Sequence, residues 1–503
     1  MRVELVQPIG ELVRSQAREF GDKPFLIADG RSESYADYDS RTDRIAGGLG
    51  RVGVKTGSAV ATYMTNSIEL LESYTAIAKL GAHVVFVNDQ LTPREAAFIL
   101  RDSGAVAVIT DEAHVGHVEQ ARPECAALHQ VIVGGAALER LAAGDPTCAI
   151  PPDIDAPAWI TYTSGSTGLP KGTLLTHRGV TWSAASCIEA LEVTENDVVL
   201  CCLPLFHLYA LSTCYLQILG AGATLVVTDR FSPAGVLELI EKHRVTVFPA
   251  VPAMLNYLCN FPDRKRWDLS SIRIAFSGGS VLTQQVAAAF EREFRVPVCD
   301  GWGSTETSAF AVFTRASGTR VPGSCGLPLP GVAIRIVDLN GRDVRPGERG
   351  EMIVRGPIVM PGYLNRPEEN ASALRDGWYH TGDLAMLDAN GYVFIIDRIK
   401  DVIISGGYNI APKEVEDVLI SHPLVLEAAV IGVPEAALGE VVTAHVVLKQ
   451  GASCSADELL GFCRERLAAY KLPRLVVFRD QLPKTPSGKL KRYELREAAD
   501  RRG

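Results

Sequence analysis

The sequence predicts a large N-terminal α/β domain, made of layered sheets with helices plus a small β-barrel-like part, followed by a small α+β C-terminal domain. Three observations predict this. Short β-branched runs alternate with amphipathic helical stretches through most of the chain, the order expected of parallel sheet covered by helices. From about residue 330 the runs become closely spaced, with Gly and Asp/Asn turns between them, as in an antiparallel sheet or small barrel. After Arg398 helices and strands mix in a compact pattern, which puts a boundary at residues 398–401 and the two domains at 1–397 and 402–503.

Taken in order, Thr92-Pro93 opens a helix carrying Phe98, Ile99 and Leu100 that ends near Gly104, and Val106–Thr110 follows as a strand. Val198–Val227 contains no charged residue and is long enough to span a bilayer. Its Pro204, His207, Gly220 and Gly222, and its setting among alternating elements, make it a buried core segment instead. Ser232-Pro233 starts a helix with Val236, Leu237 and Ile240 on one face, ahead of a strand at Val245–Phe248. Val332–Val337, Glu351–Arg355 and Tyr392–Ile396 are the closely spaced strands. Pro412 starts a helix bearing Val415, Val418 and Leu419, with Pro423 after its end, and strands are expected at Ala428–Ile431 and Thr443–Leu448. Ser455-Ala-Asp-Glu458 is a capping-box match opening a helix with Leu459, Cys463 and Leu467 on one face.

Composition narrows the functional classes. A chain of 503 residues suits two to four domains, and 47% hydrophobic with 22% charged residues is ordinary for a globular protein. The 50 basic and 59 acidic residues give a net charge of −9, so there is no global attraction for nucleic acid or anionic lipid. The 11 cysteines are odd in number and include no C-x-x-C pair. They read as small buried hydrophobes in a reducing compartment, not as disulfides or a zinc site. Acids at Glu4 and Glu11 precede any long apolar run, so no secretory signal is expected and the protein is read as cytoplasmic, without an integral membrane segment.

The strongest chemical signal is Tyr162-Thr-Ser-Gly-Ser-Thr-Gly-Leu-Pro-Lys-Gly172. The small residues Thr163, Ser164, Gly165, Ser166, Thr167 and Gly168 make a loop whose amides and hydroxyls can approach an anion, and Lys171 adds positive charge. Pro170 stands where a Walker loop needs its second glycine, so this is a different phosphate loop.

This segment resembles the phosphate-binding signature of the adenylate-forming superfamily, which includes acyl-CoA synthetases, 4-coumarate–CoA ligases and luciferases. Six further motifs of that superfamily occur in order, so the resemblance covers nearly the whole chain. They are Pro204-Leu-Phe-His207, Ser277-Gly-Gly-Ser280, Gly301-Trp-Gly-Ser-Thr-Glu306, Tyr379-His-Thr-Gly-Asp383, Asp397–Asp401 followed by Ile404–Gly407, and Pro483–Lys489. The resemblance implies an ATP-dependent ligase that activates a carboxylic acid, fatty or aryl/phenylpropenoid, to acyl-AMP and pyrophosphate. Transfer to coenzyme A then gives acyl-CoA and AMP. The alternative acceptor is a free carrier protein or an amine.

Because both reactants are anions, catalysis is mostly charge neutralisation and alignment. By resemblance, Thr163–Gly168 and Lys171 hold the ATP phosphates, and Glu306 is catalytic through Mg²⁺. Gly278, Gly279, Asp300, Gly301, Trp302, Gly303, Ser304 and Thr305 meet the nucleotide. Asp383 and Arg398 hold the ribose, and Lys489 is the catalytic lysine bridging acyl carboxylate and ATP. The acyl pocket takes His207 (a gate, counted with Glu306 and Lys489 among the catalytic residues), Tyr209, Ser277 and Gly303. Lys400 is the hinge of a mobile small domain, and Ser405, Gly406 and Gly407 line the CoA channel. Two departures stand out: Trp302 where tyrosine is usual, and Tyr408 where many relatives have glutamate. Lys484, Lys491, Arg492 and Arg496 are either CoA-phosphate contacts or a solvated basic tail.

Overall fold

The computed structural model describes residues 1–146, 153–163, 170–280, 282–406, 408–435, 438–485 and 490–500. Two large sheets form the body. The nine-stranded sheet runs in the order Leu327–Pro328, Val312–Phe313, Val298–Trp302, Ile274–Ser277, Val247–Ala250, Val198–Cys201, Thr224–Val227, Pro24–Ala28, Arg31–Ser34. Its six central strands, Val298–Trp302 through Pro24–Ala28, are parallel. The seven-stranded sheet is parallel from Gln130–Val133 to Pro157–Thr163 and then turns antiparallel through Lys171–Thr176 to Gly362–Tyr363. The largely apolar, buried run of residues in the central strands is what a sheet covered on both faces requires.

The uncharged stretch from Val198 to Val227 is core, as expected. It forms the strand Val198–Cys201, a helical run from Leu208 to Ala221 and the strand Thr224–Val227. Gly222, at φ +73°, ends the helix. Among the described residues no helix is long and apolar enough to cross a membrane.

A five-stranded antiparallel sheet (Ala333–Val337, Arg349–Arg355, Leu374–Arg375, Trp378–Leu387, Val393–Arg398) follows. A second five-stranded sheet begins at Ile403 and carries the helices Pro412–Ile420 and Ala456–Arg464. It has its own apolar core around Ile410, Val415, Leu419, Val430 and Leu459.

Three expectations shift. The strand placed at Val245–Phe248 is Val247–Ala250, because Arg244 adopts φ +52° and Val245 N still donates to Ile240 O, closing the preceding helix. The strands expected at Ala428–Ile431 and Thr443–Leu448 are one long hairpin, Val425–Glu435 with Gly439–Leu448. Leu467 lies beyond its helix, which ends at Arg464, while Ser455 Oγ accepts from Glu458 N as the capping signal predicts. Ten cysteines are described and all are free; eight are buried as expected, but Cys259 and Cys454 are only half-buried.

The small C-terminal lobe meets the large one along a polar seam. Asn256 Nδ2 donates to Leu426 O (3.2 Å), and Tyr257 Oη donates to Glu427 (3.1 Å), which also receives Lys484 Nζ (2.5 Å). Glu414 takes both Arg349 (3.1 Å) and Lys471. Asp397 Oδ2 accepts from the Lys413 amide (3.0 Å) in the first turn of Pro412–Ile420, and Asp397 Oδ1 accepts from Arg398 N.

Candidate active site

The site is built where strands of the nine-stranded sheet end. Val298–Trp302 delivers Asp300, Gly301 and Trp302, and the chain then folds back through the short turn Thr305–Thr307. The reversal is tight: Ser304 N donates to Thr307 Oγ1 (2.9 Å) and Ala309 N to Ser304 O (3.2 Å). Ser308 and Ala309 are held at φ +51° and +96°, a conformation that side chains other than glycine rarely adopt. Gly303 makes the reversal possible, since a Cβ there would lie 1.5 Å from Ala309 O.

The turn presents Glu306. Its backbone oxygen accepts from Met360 N (2.8 Å), and its carboxylate accepts from the Tyr363 hydroxyl (2.9 Å). Tyr363 sits on a strand paired to Lys171–Thr176, so Lys171 Nζ lies 5.5 Å over its ring and 3.7 Å from Glu369. Burial and the neighbouring Glu306 charge push the Tyr363 hydroxyl well above its usual pKa, keeping it a proton donor. Thr163 pairs with Lys171 across the hairpin that bounds the Gly/Ser loop.

A second cluster surrounds Asp383. Trp378–Leu387 pairs with Val393–Arg398 so that Asp383 faces Arg398, whose guanidinium meets Oδ1 at 2.6 Å. Trp302 Nε1 donates to the other oxygen, Oδ2, at 3.0 Å. The unusual tryptophan is thus tied to the carboxylate by its N–H. Asp383 N in turn donates to Thr381 Oγ1 (3.0 Å), fixing the strand's bend.

The third part is aromatic. Tyr209 is buried, and its hydroxyl lies 3.0 Å from Ala250 O and 3.2 Å from Phe276 O. Its ring meets Phe276 and Phe310 edge-on, with centroids at 6.0 and 5.4 Å, and Phe310 continues to Phe313 at 4.8 Å. Gly278 lets these rings close in, since a Cβ would stand 2.7 Å from Phe310 Cζ. Beside them lies a small pocket lined by Leu203, Pro204, His207, Tyr209, Val251 and Gly279. His207 Nδ1 accepts from Tyr209 N (3.3 Å), which holds the ring at the cavity wall. Ser277 Oγ is buried with no hydrogen-bond partner among the described residues. Burial pushes Asp300 up to about 7, against the pull of Lys413 and the Gly301 amide that donates to Oδ1 (3.0 Å).

Of the predicted residues, Thr163, Lys171, His207, Tyr209, Ser277–Gly279, Asp300–Glu306, Asp383 and Arg398 belong to these clusters. Ser164, Gly165, Ser166, Thr167, Gly168, Gly407 and Lys489 lie outside the described residues. Lys400 is exposed in the turn Ile399–Asp401, Ser405 is buried and Gly406 takes φ +55°. Each residue of the basic tail is partly exposed and paired with an acid: Lys484 with Glu427, Lys491 with Glu494, Arg492 with Glu416 and Arg496 with Asp401. Sequence reasoning missed Tyr363, Phe310 and Lys413. Phe310 stands four residues past the Gly301–Glu306 motif, and nothing local marked Tyr363 or Lys413.

Known proteins resemble this chain over nearly its whole length. The AMP-binding enzyme family matches residues 13–364, and the AMP-binding enzyme C-terminal domain matches residues 414–489. A feruloyl-CoA synthase from Amycolatopsis sp is 39% identical over 93% of this chain and 94% of its own. The 4-coumarate–CoA ligase 5 of Oryza sativa subsp. japonica is 35% identical over 97% of this chain and 94% of its own. The crystal structure of an anthranilate CoA ligase with anthranoyl-AMP superposes with a TM-score of 0.94 at 28% identity, covering 99% of both chains.

Proposed function

Because the chain belongs to the AMP-binding enzyme family, as an AMP-forming ligase of carboxylic acids and coenzyme A, we propose that its acid is an aryl or phenylpropenoid acid and not a long-chain fatty acid. The observation that carries this is the pocket of rings. Tyr209, Phe276, Phe310 and Phe313 interlock edge-to-face behind the small pocket that His207 and Tyr209 line. Such a wall suits a flat ring by edge and face contacts, and it stops an alkyl chain that must extend. The names of the relatives, which act on ferulate, 4-coumarate and anthranilate, support the same class.

In this reading the acid's carboxylate oxygen attacks the α-phosphorus of ATP. The new O–P bond forms as the bond to pyrophosphate breaks. Thr163, the loop Ser164–Gly168 and Lys171 hold the departing phosphates, and Lys489 neutralises the charge gathering between the two anions. Each oxygen of Asp383 spends one lone pair on Trp302 or Arg398 and keeps another for a ribose hydroxyl. Glu306 fits a Mg²⁺ ion: it is a partly exposed hard-oxygen ligand, oriented by Tyr363, beside the phosphate loop's strand. When bound, that ion supplies neutralisation of phosphate charge. With residues 398–401 as the hinge and Lys400 within it, the small lobe then turns Ser405–Gly407 toward the acyl adenylate. The CoA sulfur attacks the acyl carbon, and AMP leaves.

The test is a panel of benzoates, cinnamates and saturated fatty acids, read by pyrophosphate release and by thioester detection with CoA. Ring acids are expected to exceed dodecanoate in kcat/KM by about 100-fold or more. A fatty acid matching the best ring acid refutes the substrate class. Adenylate accumulating without thioester moves the acceptor to a carrier protein or amine.

A further inference from the structure

The C-terminal lobe brings together three side chains that have no part in the chemistry above. The helix Pro412–Ile420 ends in Ser421 and His422, and the hairpin's second strand, Gly439–Leu448, runs into a turn whose Ala452 N donates to Lys449 O (3.0 Å). Lys449 N donates to Leu424 O (2.9 Å), which pins that turn beside His422. The turn delivers Cys454. Ser455 then caps the helix Ala456–Arg464 and so orients Glu458, whose amide donates to Ser455 Oγ (3.2 Å). One imidazole nitrogen of His422, the Cys454 sulfur and a Glu458 carboxylate oxygen lie within 4.8 Å of one another. His422 is buried and sits edge-on to Phe462 (4.9 Å, 87°), Cys454 is half-buried and Glu458 is at the surface, so the group is rigid at its base and open at its rim.

We propose that His422, Cys454 and Glu458 bind one divalent transition-metal ion of the zinc type. Imidazole, thiolate and carboxylate at this spacing are the donors such an ion prefers, and three protein ligands leave a fourth tetrahedral position for water. The two anionic donors balance the charge of a dication. Sulfur disfavours Mg²⁺, so this site is chemically distinct from the one at Glu306. On binding, the S–H bond of Cys454 breaks, the S–metal bond forms and the proton passes to water. His422 gives up only the long 3.4 Å contact from the Leu424 amide to Nδ1. The ion would cross-link the end of one helix to the start of the next and so stabilise the lobe. Motif spacing hides the site: Cys454 and Glu458 are four residues apart, but His422 is thirty-two residues before Cys454.

The experiment titrates metal-free, untagged full-length enzyme with Co²⁺ and then displaces it with Zn²⁺. One equivalent of Co²⁺ is expected to give a near-ultraviolet sulfur-to-cobalt charge-transfer band with tetrahedral visible bands, all bleached by Zn²⁺. Cys454→Ser should lose the charge-transfer band, and Glu458→Gln should weaken binding about tenfold or more. Both variants should keep wild-type ligase turnover, which shows that they fold. Zn²⁺ should raise the melting temperature of the wild type and leave Cys454→Ser unmoved. Binding weaker than about 1 mM, or a charge-transfer band that survives in Cys454→Ser, overturns the assignment.

Discussion

Replacing Asp300 by asparagine removes a carboxyl that the fold holds against its tendency to ionise. Its pKa rises from 3.8 to about 7, chiefly through burial, with Lys413 and the Gly301 amide pulling the other way. The folded chain binds this proton more tightly than the unfolded chain does. The group's contribution to stability is therefore best below about pH 4, erodes as the pH climbs to about 7, and is level above that. At ~1.4 kcal/mol per tenfold change, the raised pKa costs ~4 kcal/mol of stability at about pH 8 and ~2 kcal/mol at about pH 5. The amide carbonyl of the variant can still accept from Gly301 N, so the relief of charge is the main effect. Thermal unfolding of both proteins at the two pH values, at fixed ionic strength, measures it. The variant should be the more stable at about pH 8, with an advantage ~2–3 kcal/mol smaller at about pH 5. An advantage independent of pH, or a wild type that gains stability relative to the variant as pH rises, refutes the reasoning.

Other perturbations probe the remaining clusters. Tyr363→Phe removes the donor to Glu306 and should lower kcat/KM for ATP about tenfold, with a raised Mg²⁺ requirement in pyrophosphate-release assays. Trp302→Phe frees Asp383 Oδ2 and should raise KM for ATP more than it changes KM for the acid, seen in two-substrate kinetics. Gly303→Ala drives a methyl into Ala309 O and should abolish pyrophosphate release, whereas Gly461→Ala, which meets open space, should leave it unchanged. Lys489→Ala should cripple adenylation yet spare thioester formation from supplied acyl-AMP, and Gly407→Leu should do the reverse; equal loss of both half-reactions in both variants contradicts that division of labour.

Local chemistry was legible in the sequence, and long-range pairing was not. Pro at helix starts, Gly104 at a helix end, and Ser455 as a cap are decided by a few neighbouring residues, so they could be read directly. The glycines and acids of the candidate site sit in motifs of four to eleven residues for the same reason. The strand after Arg244 slipped by two residues because a left-handed arginine extended the helix closure, which no composition rule signals. Trp302 and Asp383 stand 81 residues apart, and Glu306 and Tyr363 stand 57 apart. Their hydrogen bonds exist only because separate sheets bring strand ends together. Trp302, expected to meet the nucleotide, is thus also an N–H donor to Asp383, and Lys484, Arg492 and Arg496 of the basic tail are paired with acids far away in sequence.

The seam between the two lobes bears on how the enzyme responds to its medium. Its contacts are carboxylates shared by cations and hydroxyls: Glu427 between Tyr257 and Lys484, and Glu414 between Arg349 and Lys471. Parting such surfaces wets charges that water solvates well and exposes little oily area. Ionic strength should therefore tune how often the halves separate, and turnover should follow salt more steeply than melting does.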